Sequence, residues 1–421
     1  MRSALVVLVS LLAAGADARA AARLVYNLQN RPTPIEWPAG AFPLPFAVSR
    51  SAAQNLATGE ALVAGAFEAW EGIEGSRVSF RNTGITDAPA GRDGVNVVTV
   101  NDALFDESGF VAFTTTWFDQ TTGVLQEADI QIDASAAKNG VGLGTLVQHE
   151  IGHLLGLDHS GIVSSVMFPW VGPEDLAGLD SDERIALAQI YPEGGGKMGP
   201  PRIRGSVRLP RGGVFGAQVV AVDANGAPVS STLTAADGTF ELAGLPPGHY
   251  RVYAEPLDGP VETKNLSGVW RDVQTGFRPG FAPEIDLQPG GSADGVEIGV
   301  NEFPETLNPR WIGAFAPGAS EIRLSSTLLS TKQGATVAIA VGGDGIVSGM
   351  TQFEVLNPGF TRTSDFAYGP NYVWAAFRVS PDAPTGSVVI LARNGNDVAP
   401  LTGALRVEAS SPPPRGRVAR R

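Results

Sequence analysis

Apolar residues come mostly in short, turn-bounded runs along this chain, and three stretches carry helical spacing. Residues 23–29 (RLVYNLQ) alternate as a strand does and lead into a Pro-rich connection through Pro45. In TGEALVAGAFEAWEGI, Leu62, Val63, Ala66, Phe67 and Trp70 fall on one helical stripe, with Thr58 positioned as N-cap. Strand patterns follow at 77–80, 95–100, 110–117 and 128–133. A second helix is expected to start near Leu143 or Gly144 and to end at Gly156. A third opens at Asp180, with Glu183 spaced to reach back in a capping box, and buries Ile185, Ala188 and Tyr191.

After Tyr191 the segment PEGGGKMGPP breaks the pattern and marks the clearest boundary in the chain. Beyond Arg202 only strand texture remains: RIRGSVRL, AQVVAVDANG and TAADGTFELAGLPPGHYRVYAEP. Asn225-Gly226 and Asp237-Gly238 stand at the turn positions of tight hairpins. Residues 301–410 form a further all-β block containing ATVAIAV, TQFEVLN, YVWAAFRVS and SVVILAR. The expected architecture is an α+β domain at 21–195, two all-β sandwiches at 200–300 and 301–410, and a disordered basic tail at 411–421.

Composition adds compartment and partners. Gly 52 and Pro 31 favour β-rich modules over helical bundles. Residues 1–20 combine Arg2, an apolar run from Ala4 to Ala14 and a small-x-small end, the pattern of a cleaved secretory leader, so a secreted, extracellular or periplasmic protein is expected. No later segment approaches the ~20 apolar residues of a bilayer span. A net charge of −13 argues against nucleic acid as a partner, since phosphate binding needs a basic face. With no cysteine, any metal must be held by His, Asp or Glu.

The chemistry is concentrated in HEIGHLLGLDHS, residues 149–160, which holds three of the chain's four histidines. On a helix, His149 and His153 lie one turn apart on the same face. Gly156 lets the chain leave the helix, and His159 can swing back as a third ligand. Three neutral imidazoles fit zinc and keep the fourth position open for water, as a catalytic rather than structural site requires. Glu150 is then positioned to take a proton from that zinc-activated water as general base, and the expected reaction is peptide hydrolysis without a covalent intermediate.

Other candidates carry less. Asp102, Asp106 and Glu107 could bind calcium, but without EF-hand spacing they read as a solvated acidic loop. His249 has no second ligand nearby and reads as a strand or turn residue. Trp270, Trp311 and Trp374 are scattered, and core packing is the simpler reading than a carbohydrate-binding face.

HEIGHLLGLDH resembles the extended zinc motif of the metzincin metallopeptidases, and VMFPW supplies the methionine of their Met-turn. Ser160 and the segment SSVMFPW resemble the matrixin branch, with a likeness running from about Leu24 to Tyr191. The resemblance implies a metzincin catalytic domain with a twisted mixed sheet and three helices. It implies one catalytic zinc on His149, His153 and His159, Glu150 as base, and Met167 beneath the metal. It also implies a wall at Phe168, Pro169 and Trp170 along the primary specificity pocket, with Trp170 where the family usually has tyrosine. FVAFTTTW would be the edge strand above the cleft, making Phe110, Val111, Ala112 and Phe113 candidate substrate contacts through backbone pairing. The second zinc and the prodomain cysteine of vertebrate matrixins have no counterparts here.

DGTFELAGLPPGHYRV resembles the carboxypeptidase-regulatory-like sandwich, and KQGATVAIAVGG resembles bacterial Ig-like domains. Together these readings describe a secreted zinc endopeptidase, of the kind that acts in an extracellular matrix, cleaving protein or peptide substrates. Its sandwich modules would hold a surface, a polysaccharide or a protein. The rival is a secreted adhesin or binding protein whose metal site is only structural.

Overall fold

The computed structural model describes residues 22–56, 59–101, 110–138, 142–176, 178–195, 201–302, 307–319 and 321–410. The leader at 1–20, Thr58 as a cap, the acidic loop of Asp102, Asp106 and Glu107, and the tail at 411–421 lie outside the described residues.

The N-terminal part is built on a five-stranded mixed sheet in the order Phe80–Thr86, Leu44–Ser49, Val97–Val100, Leu125–Ile132, Ala112–Phe118. Neighbours are parallel except Ala112–Phe118, which runs antiparallel to Leu125–Ile132 and forms one edge. The strand expected at 77–80 instead begins at Phe80 and continues to Thr86. The edge strand starts at Ala112, so Phe110 and Val111 precede it.

Five α-helices occur among the described residues, two more than expected. The extra ones are Arg50–Asn55, capped by the Ser49 hydroxyl accepting from Ala52 N at 3.1 Å, and the five-residue Ala134–Lys138. Both are too short to show a periodic stripe in sequence. The helix Gly59–Glu68 buries Val63, Ala66 and Phe67 against the sheet, where Phe67 stacks on Phe46 with ring centroids 3.8 Å apart. Trp70 just beyond it is fully buried and donates its indole N–H to Gln148 O at 3.0 Å, tying this helix to the motif helix Leu143–Leu154.

The closing helix Ser181–Ile190 departs from expectation in its first turn. Asp180 stands at the N-cap position, yet its carboxylate makes no cap bond and pairs instead with Arg406 at 3.0 Å. Glu183 does not reach back; it is buried and accepts a hydrogen bond from the Ser165 hydroxyl. The physical reason is tertiary: eight of this helix's residues are buried on all sides, because it lies between the mixed sheet's domain and the strand Pro228–Leu233 of the next unit. Asp182 accepts from the backbone N–H of Ser231 at 2.6 Å, and Gln189 donates to Ala243 O at 2.8 Å. Arg406 from across that junction and Ser165 from within the N-terminal part displace the local cap.

The remainder is β-sandwich-like. One unit pairs a five-stranded sheet around Gln218–Asp223 and Gly248–Glu255 with a four-stranded sheet around Arg202–Leu209. The next pairs a five-stranded sheet around Thr336–Asp344 and Tyr372–Val379 with a four-stranded sheet around Gly386–Asn394 and Asp397–Glu408. Asn225-Gly226 joins two paired strands as expected. Asp237-Gly238 does not: its turn connects Pro228–Leu233 in one sheet to Thr239–Ala243 in the other, a corner rather than a hairpin. His249 lies exposed in the strand Gly248–Glu255.

These units share a core. Ala22, Val25, Val163 and Phe168 from the N-terminal part pack in one cluster with Leu257, Val261, Leu266 and Trp270 and with Ile339, Val373 and Leu405. Trp270 is buried and donates to Arg23 O at 3.0 Å, whereas Trp311 is exposed. No described helix is long and apolar enough to cross a membrane.

Candidate metal centre

The motif helix Leu143–Leu154 begins without a side-chain cap of its own; Asp175 supplies one from a distance, accepting from Thr145 N at 2.9 Å. Leu146, Val147, Ile151 and Leu154 bury one face in the core, which leaves His149 and His153 together one turn apart on another. The helix ends where Gly156 adopts φ +88°. A Cβ there would stand 2.4 Å from Ile35 O, so both the left-handed conformation and the close backbone approach require glycine.

That exit brings His159 back. Its ring centroid is 5.1 Å from that of His149 and 4.8 Å from that of His153, and the three histidines offer ligand atoms within 4.8 Å of one another. Each Nδ1 meets a backbone carbonyl: His149 with Val166 O at 2.8 Å, His153 with Leu157 O at 2.9 Å, and His159 with Asn265 O. A carbonyl can only accept, so each ring carries a proton on Nδ1, and its neutral form presents an Nε2 lone pair.

The Nε2 atoms of His149 and His153 are 3.1 Å apart. With both acting as acceptors this is no hydrogen bond. It is close to the roughly 3.3 Å that two nitrogens at ~2.05 Å in a tetrahedral zinc site subtend. Burial lowers the His149 pKa to about 3, with the neighbouring His159 adding to the effect, and holds His153 well below its ordinary value. Both therefore stay neutral at physiological pH, the state a metal needs. The donor set fits zinc.

Glu150 is buried beside the first histidine, and its carboxylate accepts the Thr114 hydroxyl at 2.6 Å. Burial pushes its pKa up to about 7, against the opposing pull of that hydrogen bond. Thr114 was not singled out from sequence. Strand alternation could have found it, since Ala112, Thr114 and Thr116 share one face of the edge strand.

Met167 is buried with its sulfur against Gly152, in the helical turn between His149 and His153. Its turn is braced by Ser165, whose hydroxyl accepts from Met167 N at 2.9 Å and donates to Glu183. Glu183 thus exchanges a local cap for a role under the metal centre.

Among the remaining candidate residues, Trp170 is half exposed and Pro169 half-buried, while Phe168 is buried in the shared core. The indole N–H of Trp170 points to Pro260 O at 3.4 Å. Ala112 is buried, Val111 and Phe113 are half-buried, and Phe110 is 66% exposed. Among the described residues no strand pairs with the outer edge of Ala112–Phe118.

Two stretches of the chain match known domain families. Residues 44–192 match the family model for Matrixin and residues 202–269 that for the Carboxypeptidase regulatory-like domain, so the chain carries both domains. Matrix metalloproteinase-2 of Drosophila melanogaster is 43% identical over 54 residues, 13% of this chain and 7% of that protein. Karilysin of Tannerella forsythia is 40% identical over 53 residues, 13% of this chain and 11% of that protein. The matches therefore span a small part of these relatives' lengths. The crystal structure of BcpA, the major pilin subunit of Bacillus cereus, aligns over 50% of this chain and 69% of that one at 13% identity. Its TM-score of 0.17 is too low to transfer anything to this chain.

Proposed function

We propose that this chain is a secreted zinc-dependent endopeptidase with a metzincin catalytic domain, acting on extended protein or peptide substrates. The observation that supports it most is the set of three imidazoles, each locked with Nδ1 on a carbonyl, beside a buried glutamate. His149, His153 and His159 would hold the ion and Glu150 would be the base. A zinc ion bound there would polarise the scissile carbonyl and acidify a water.

The chain's own residues would do the rest. Glu150, one residue from the first ligand, would accept the water's proton on its carboxylate and hand it to the leaving amine. Thr114 would hold that carboxylate in one rotamer through its hydroxyl. Burial of Glu150 brings its proton affinity near neutrality, where a group can both take and return a proton. Met167 would support the histidine pair from below by packing.

Substrate would lie extended along Ala112–Phe118, the outermost strand of the mixed sheet among the described residues, and pair with it through the backbone. Trp170 and Pro169 would form the wall of the specificity pocket. Phe168, buried in the shared core, would fix that wall to the β-units rather than touch substrate.

The test is metal content and proteolysis of the full chain. One zinc per chain and chelator-sensitive cleavage of unstructured peptides is the expected outcome. A folded chain that binds no metal and cleaves nothing would overturn the proposal.

A further inference from the structure

We infer that the loop Asp258–Trp270, which belongs to the second unit, is a positioning element of the metal centre, so that metal retention depends on the junction between units. This rests on the proposed zinc site. Two of the three histidine Nδ1 atoms bond carbonyls close in sequence, Leu157 and Val166. The third, on His159, bonds Asn265 O, 106 residues further along the chain.

The contact is one half of a two-point clamp. Asp158, next to the ligand, accepts the backbone N–H of His159 on Oδ1 at 2.9 Å and that of Ser267 on Oδ2 at 2.8 Å. Asn265 and Ser267 thus hold both the ring of His159 and the carboxylate that fixes its backbone. Without the loop, the His159 ring would lose the acceptor that sets its tautomer and its rotation.

The loop has a reason to keep this shape. Thr263–Asn265 forms a single 3-10 turn closed by a reciprocal box, in which Glu262 N donates to Asn265 Oδ1 at 2.9 Å and the Glu262 side chain accepts from the backbone of Asn265. Glu262 is held in turn by Lys264 at 2.6 Å and by Arg310 of the last unit at 3.3 Å. Arg310 and Asn308 both donate to Asp258 O, at 2.6 and 2.7 Å. Leu257, Val261, Leu266 and Trp270 anchor the loop in the shared core. Gly268, at φ +56°, comes so near the N-terminal strand that a Cβ would stand 1.9 Å from Val25 O. A chain of contacts therefore runs from Arg310 through Glu262 and Asn265 to His159.

The experiment uses the full chain and reads zinc affinity by competition with a chelator, together with the visible spectrum of the cobalt-substituted protein. Three variants are compared with wild type: Asn265→Ala, which opens the box; Arg310→Ala, which frees Glu262 from the last unit; and replacement of Glu262–Ser267 by a Gly/Ser segment of equal length. Zinc binding roughly 10- to 100-fold weaker in the segment replacement, with smaller losses in the two point variants and a shifted cobalt spectrum, is expected from loss of a ligand's outer hydrogen bond. Metal-free melting curves separate this from unfolding; the point variants leave the apolar anchors in place and carry the test if the replacement fails to fold. If all folded variants bind zinc as wild type does and give its cobalt spectrum, the inference falls while the peptidase reading stands. A wild-type chain that binds no zinc would overturn both.

Discussion

The hydroxyl of Thr114, on the edge strand, lies 2.6 Å from Oε2 of Glu150 and 2.9 Å from the same residue's backbone oxygen. One side chain of the edge strand therefore fixes the carboxylate of Glu150 beside the histidine cluster. A hydrogen bond to a buried charged group contributes about 1.5–3 kcal/mol. Thr114→Val should lower kcat roughly 10-fold or more with zinc affinity unchanged, and Thr114→Ser should restore most of it. Steady-state kinetics beside zinc titrations check this; an unchanged kcat in the valine variant would remove Thr114 from the mechanism.

Glu150→Gln keeps the shape of the side chain and an acceptor for Thr114 but removes the proposed base. Turnover should fall roughly 10²- to 10⁴-fold, the range general-base catalysis supplies, while zinc stoichiometry and melting temperature hold. If wild type and variant are zinc-loaded and equally inert, a binding protein with a structural metal becomes the better account.

His153→Ala removes one of the two proposed ligands on the motif helix. Metal analysis of the purified chain should show zinc lost along with activity. Stoichiometric zinc in a folded variant would contradict the ligand assignment.

Gly156→Ala forces a Cβ into a left-handed residue and against Ile35 O. The conformational strain alone is about 1–2 kcal/mol, and the backbone clash adds to it. Denaturant unfolding should show a loss on the order of 2–4 kcal/mol, with weakened zinc binding because His159 is displaced. An undiminished midpoint would mean that the exit can be made another way.

Glu255 is half-buried at the junction of the units, accepting from Gln218 at 2.8 Å and Thr402 at 3.1 Å, and desolvation, with a smaller contribution from Asp258, raises its pKa to about 8. A carboxyl whose folded pKa exceeds its unfolded value near 4.5 binds more protons when folded. Its stabilisation is complete below about pH 4.5 and declines as pH rises to about 8. Glu255→Gln cannot ionise, so its unfolding free energy relative to wild type should rise across that window, by an amount on the order of a few kcal/mol at most. A constant difference from pH 5 to pH 8 would show that Glu255 does not titrate there.

HEIGHLLGLDH was legible because its information is local: helical rise puts His149 and His153 on one face, and a glycine exit returns His159, whatever surrounds them. The hydrophobic pattern likewise revealed the three longer helices and the change to pure strand texture after Arg202, since amphipathic periodicity needs only neighbours in sequence. The helix start at Asp180 was recognised, but its capping box was not formed, because Arg406 and Ser165 reach those carboxylates from distant elements. Phe168 sits beside the Met-turn in sequence, yet its ring is drawn into a core made largely by residues from Leu233 onward.

The sequence by itself determined which three histidines converge, which glutamate stands beside them, and the division into one mixed and two β-rich regions. Tertiary structure alone decided that these regions share one core, that Thr114 holds Glu150, and that Asn265 holds His159. Those three facts depend on pairs 36 or more residues apart, and hydrogen bonds between such pairs leave no periodic trace in the chain.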